Sequence, residues 1–175
     1  MLTSSKATVK GPAVNPAGFC FLWLYANIIG MRGHKILILG VGNALKQDDG
    51  LGPALIGKLK AVSGKQKAEL IDAGTAPENF TGKIKQIAPE KLVIIDAINF
   101  GGEPGSIKTF KAKDIAVQSL STHNVSLKTF VNYLKTDLPD MVVEIIGVQP
   151  KQTGFGEGLS PEVKKGVEKL CMSLA

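Results

Sequence analysis

Asp49, Asp96 and His123 are the residues of this 175-residue chain whose types and positions suit hydrolytic or metal chemistry. Asp49 lies in the turn that follows "KILILGVGN", an apolar run ending in glycines. Asp96 closes the run "LVIID", and His123 stands in "STHN" at the entrance to a helical pattern. In open α/β sheets the working groups collect beyond the carboxyl ends of the strands, where all three are expected. Two carboxylates and one imidazole form a hard-to-borderline donor set, suited to nickel, manganese, iron or zinc with positions left open.

Each residue also has a plain structural reading. Aspartates ahead of a helix commonly cap it, and Asp48 or Asp49 is placed to do only that. His123 at a helix start can cap the preceding turn. Asp96 is harder to explain away, because a carboxylate after Val93-Ile94-Ile95 is costly unless paired, hydrogen-bonded or metal-bound. Asp72 ends its run as Asp96 does, so it is either a fourth member of the site or a turn-former in "DAGT". His34 precedes the first strand at the far end and is given no role.

Other chemistries fit less well. There is no G-x-S-x-G elbow and no G-x-x-x-x-G-K-[ST] phosphate loop. Gly40 and Gly42 supply a G-x-G, but the third glycine position falls on Leu45, and Asp48-Asp49 would repel a pyrophosphate. Cys20 and Cys171 are far apart in no C-x-x-C pairing, which argues against a disulfide framework and fits a reducing cytoplasm. The net charge of +6 permits nucleic-acid binding, but the lysines are scattered and only 6% of residues are aromatic. No nucleic-acid partner is expected; the basic surface is a solvated one that can help dock an acidic protein.

The elements that must position these residues alternate. Continuous apolar runs at 35–41, 91–100 and 141–150 read as strands buried on both faces, with a shorter strand at 68–74. Leu51, Leu55, Leu59 and Val62 recur at helical spacing, as do Val125, Leu127, Phe130, Val131 and Leu134. A weak helix interrupted by Gly82 is expected over 77–89. The segment "EPGSIKTFKAKDI" reads as a turn and an edge strand with outward lysines. Ser160-Pro161-Glu162 should cap a last helix with the stripe Val163, Val167, Leu170, Cys171 and Leu174. The expected fold is a three-layer α/β/α sandwich around a mostly parallel twisted sheet of about five strands. Residues 31–175 form its single domain. Residues 1–30 read as an over-extended start or a disordered appendage, with an interfacial anchor as the alternative. Their apolar run "FCFLWLYANIIG" falls short of the roughly 20 residues a membrane span needs, so no stable insertion is expected.

The segments "GVGNALKQDDGLG", "IDAGTAPEN", "LVIIDA", "STHN" and "GVQPKQTGFGEGLSPEV" occur in the order and near the spacing of the hydrogenase maturation endopeptidases. The chain resembles the HycI type from about Lys35 onward. The resemblance implies an endopeptidase that cuts a C-terminal extension from the large-subunit precursor of a nickel–iron hydrogenase after nickel insertion. It further implies that two acids and a histidine read that nickel, at positions that fall here on Asp49, Asp96 and His123. The nickel would be carried by the substrate and not held permanently. Thr122 and Asn124 flank His123 and are placed to orient its ring, and Gln149 ends another strand on the same edge, within reach of substrate. Three rivals remain: a metallohydrolase with its own resident ion, a nucleotide-binding module built on "GVGN", and a chaperone that binds the precursor without cutting it.

Overall fold

The structure, a computed structural model, describes residues 35–62, 68–111 and 124–174, with 124–126 traced by backbone alone. The expectations for residues 1–30 and for His34 lie outside them.

Unbroken apolar runs have nowhere to go but the middle of a sheet covered on both faces. Strands β1 (Ile36–Val41) and β3 (Lys91–Ala97) are buried along their whole length. β5 (Val142–Val148) is buried beyond its first residue. β2 (Ala68–Gly74) is a parallel edge, and β4 (Ile107–Lys111) is the other edge, the one antiparallel strand. The order is β2-β1-β3-β5-β4. Lys108 and Lys111 point outward from β4, as charged edge residues do when they discourage further strand pairing.

Among the described residues, four helices complete the three layers: α1 (Leu51–Val62), α2 (Thr81–Ile87), α3 (Asn124–Asp137) and α4 (Pro161–Leu174). Successive residues of a strand face opposite sides, so each strand feeds two cores. Ile36, Ile38, Val93 and Ile95 pack with Leu55, Leu59, Val167 and Leu170 under α1 and α4. Leu37, Leu39, Leu92 and Ile94 pack with Ile84, Leu127, Phe130 and Leu134 under α2 and α3. The whole expected stripe of α4 is buried.

Two expectations need correcting. Val62, the last residue of α1, is 61% exposed, one helical repeat beyond the fully buried Leu59. Gly82 does not interrupt its helix: a 3-10 turn over Pro77–Phe80 comes first, and Gly82 falls in the opening turn of α2. At the amino edge of the sheet, a buried Lys91–Glu144 ion pair at 2.7 Å links β3 to β5.

What sets α1 close to the sheet is a pair of glycines. A Cβ on Gly52 would lie 2.2 Å from the Val41 carbonyl oxygen and 2.9 Å from that of Ile95; one on Gly40 would lie 2.5 Å from the Gly52 carbonyl oxygen. These obstacles are backbone and cannot rotate away. Gly52→Ala should therefore lift the helix start and cost at least about 2 kcal/mol, seen as a melting temperature lower by on the order of 5 °C or more. Gly57, in the same helix but facing open space, is the control. Gly57→Ala should stabilise by about 0.5–1 kcal/mol through helix propensity alone.

Candidate active site

Beyond β1 the chain turns to β2 on one side, while β3 and β5 extend the sheet on the other. The carboxyl ends of β1 and β3 therefore flank a topological switch point, the place where such sheets open a crevice. Asp49 lies in the 3-10 turn Gln47–Gly50 that follows β1, and Asp96 is the penultimate residue of β3. The turn packs against β3, and Gly52, three residues after Asp49, sits directly on the carbonyl of Ile95. The two carboxylates are thus brought to one rim by the glycine contact. Asp49 is 2% exposed and Asp96 is fully buried.

Local bonds aim them. The Asn43 N–H donates to Asp49 Oδ2 at 3.0 Å. Gly42, at φ 139°, leaves its side-chain space to the Asp49 carbonyl, which would lie 1.8 Å from a Cβ there. The Ala97 N–H donates to Asp96 Oδ1 at 2.8 Å. Because Val93, Ile95 and Ala97 face α1 and α4, alternation directs Asp96 toward the α2 and α3 face.

His123 and Thr122 lie outside the described residues, as does the side chain of Asn124. Asn124 is the first residue of α3, so the position of that helix is informative. Its lower end is tied to α2 by the Lys85–Asp137 ion pair and by the Lys85 ammonium 3.8 Å from the centre of the Tyr133 ring. Asp137 first, then Tyr133, hold the Lys85 ammonium above the usual lysine range. α3 also packs against the Pro77–Phe80 turn, which lies beyond the carboxyl end of β2. Fourteen residues of helix rise about 21 Å, close to the height of a seven-residue strand. α3 therefore begins at the carboxyl edge, on the face toward which Asp96 projects. Among the described residues, no three His, Cys, Asp or Glu side chains group closely enough to hold a metal.

Asp72 is exposed, and its Oδ1 accepts from the Gly74 N–H, forming the turn in "DAGT". Gln149 is buried and braces the rim. Its Oε1 accepts from the Phe100 and Gly102 N–H groups, and its Nε2 donates to Asn99 Oδ1 and the Pro150 carbonyl.

Asp48, read from sequence as a helix cap, is a long-range clamp. It is fully buried and accepts from the Lys151 and Gln152 N–H groups, from the Ser160 N–H at 2.6 Å and from the Ser160 hydroxyl at 2.9 Å. Ser160 is correspondingly not a side-chain cap for α4. Its carbonyl opens the helix by accepting from Lys164, while its hydroxyl turns to Asp48. The Lys151 ammonium adds a bond to Glu162 on α4 and holds that carboxyl below its usual range. Nothing in the local sequence distinguishes Asp48 from Asp49; the adjacency of two acids, one turned inward and one toward the rim, was the available signal.

Comparison with known proteins gives one family. Residues 53–175 match the HycI model of hydrogenase maturation proteases. The chain is 35% identical over 139 residues to the hydrogenase 3 maturation protease of Escherichia coli, covering 79% of this chain and 87% of that one. The fold is similar to that of a nickel–iron hydrogenase maturation protease, HycI, from Thermococcus kodakarensis. That match has a TM-score of 0.73 at 30% identity, over 83% of this chain and 92% of the other. It is also similar to the endopeptidase HycI of Escherichia coli, with a TM-score of 0.67 at 33% identity over 80% and 88%.

Removing the Asp48 carboxylate leaves three backbone donors and a hydroxyl facing nothing. Asp48→Ala should cost about 3 kcal/mol or more in a denaturant titration. It should also speed amide exchange at Lys151, Gln152 and Ser160. Asp48→Asn should rescue only part of this, since its one oxygen can keep the three bonds made at Oδ2 while its N–H₂ group would face the Ser160 N–H.

Proposed function

Because the chain belongs to the HycI family of hydrogenase maturation proteases, we propose that it is an endopeptidase for a nickel–iron hydrogenase large-subunit precursor. It removes the C-terminal extension once nickel has been inserted. The observation that supports this reading is the pair of buried carboxylates, Asp49 and Asp96, at the carboxyl ends of neighbouring strands. Such a rim suits a cation and repels the phosphates that similar glycine turns bind elsewhere.

The nickel belongs to the substrate. It arrives ligated by the precursor's own thiolates, and Asp49, Asp96 and His123 complete its shell from the protease side. The scissile peptide then lies beside a Lewis acid. Water adds to the peptide carbonyl, the C–N bond breaks, and a carboxylate and an amine separate. One of the aspartates would take the proton lost by the water and return it to the leaving amine nitrogen, and the substrate's nickel would ease that loss by polarising the carbonyl or lowering the water's pKa. Loaded and empty precursors are told apart by the coordination bonds that only the loaded one can form, so cleavage follows loading.

Nickel-loaded and nickel-free precursors should be offered to wild type and to Asp49→Asn, Asp96→Asn and His123→Ala, with cleavage followed by mass spectrometry. Wild type should cut the loaded form alone, and each substitution should slow cutting about 100-fold or more. Equal cutting of both forms would leave a peptidase without nickel reading. Binding without cutting would point to the chaperone. Stoichiometric metal in the purified protein, together with cleavage of generic peptides, would point to a resident ion.

A further inference from the structure

Two large apolar side chains stand in solvent at the carboxyl edge of the sheet: Leu45, 61% exposed, and Phe155, 87% exposed. One such residue is ordinary on a protein surface. The turns that carry these two are bonded to each other. A parallel bridge pairs Lys46 with Gly156, the Gly156 N–H donates to the Leu45 carbonyl at 3.0 Å, and the Gln47 N–H donates to the Gly156 carbonyl at 2.8 Å. That register sets Leu45 opposite Phe155. The Lys46 ammonium stands 5.7 Å from the centre of the Phe155 ring.

The backbone beneath them is fixed. Asp48 grips both ends of the 151–160 loop. Gln47 is a non-glycine residue at φ 47°, a strained conformation kept only where the surroundings enforce it. Its side chain fills the space above Gly156, where a Cβ would lie 3.1 Å from it. A fixed backbone thus holds an aromatic ring outside both cores, with the Lys46 ammonium over it. It presents the ring to something else.

We propose that Leu45, Lys46 and Phe155 form a docking surface for the precursor polypeptide, seating an extended segment with a large apolar side chain and a neighbouring carboxylate. The proposal rests on the endopeptidase reading for the identity of its occupant. Continuity argues for that occupant: the same short turn carries Leu45 and Asp49, so a chain that delivers its scissile bond to Asp49 crosses the Leu45–Phe155 pair. Lys46 supplies the charge for an acidic neighbour. Apolar contact on a preordered surface adds affinity without a cost of ordering the loop.

The test separates docking from cutting. Precursor binding and cleavage are measured for wild type, Leu45→Ala, Phe155→Ala and the double variant, each with its melting temperature. Phe155→Ala should weaken binding and raise KM about tenfold or more, with kcat changed less than about twofold and the melting temperature unmoved. Asp49→Asn, which loses a coordination bond to the loaded precursor, should bind it more weakly than wild type, and Phe155→Ala in that background should weaken binding about tenfold further. An unchanged KM and affinity in the double variant would overturn the proposal while leaving the endopeptidase reading in place. If wild type binds but does not cut, the endopeptidase reading falls and the affinities alone decide docking. If wild type neither binds nor cuts, both fall. A wild-type dimer that Phe155→Ala makes monomeric would assign the surface to a second copy of this chain and overturn the proposal.

Discussion

The rim of this sheet depends on one buried carboxylate. Asp48 joins the turn after β1 to the loop after β5 through four hydrogen bonds, at residues 103 to 112 positions away. Its burial would be prohibitive without them. With them, two loops that leave the sheet at separate strands become one piece. Everything assigned to the rim is then set against a fixed frame: Asp49 beside Asp48, the Leu45–Phe155 pair across the bridge, and the first turn of α4 at Ser160. The clamp and the rim acid are neighbours in sequence with opposite duties.

Beneath the clamp, the glycines decide what the crevice is for. A turn of this type usually leaves room for phosphate oxygens over a helix start. Here the Asp49 carbonyl occupies the space over Gly42, and Gly40 and Gly52 bring α1 down until its backbone touches β1 and β3. The topology is one that binds nucleotides in other chains. Here backbone fills the space over the glycines, and two buried carboxylates stand beside it.

The layers were legible in the sequence because burial on two faces leaves unbroken apolar runs, as in "ILILGV" and "LVIIDA", and α4 kept its stripe to the last residue. Asp49 and Asp96 were legible as strand-end acids, and both lie where that reading put them. Val62 was misread because periodicity does not report where burial along a helix ends. Asp48 was misread because its partners lie more than a hundred positions away, and no local pattern encodes a bond of that span. Leu45 and Phe155 carry no periodic signal at all; their pairing exists only once the bridge at Gly156 has formed. The histidine assignment rests on the sequence and on where α3 begins.

The clamp also has a consequence for the order in which the protein is made. A ribosome releases residue 48 well before residue 160, with 112 positions and the central strands β3 and β5 between them. Until Lys151 and Gln152 arrive, Asp48 accepts none of its four bonds, and until Ser160 arrives the loop that carries Phe155 has no anchor at its far end. The sheet can begin to pair from β1 and β2 onward, but the rim closes last. A partly synthesised chain therefore lacks a finished cutting edge. The frame around Asp49 is a late product of folding along the chain, assembled from its two distant loops.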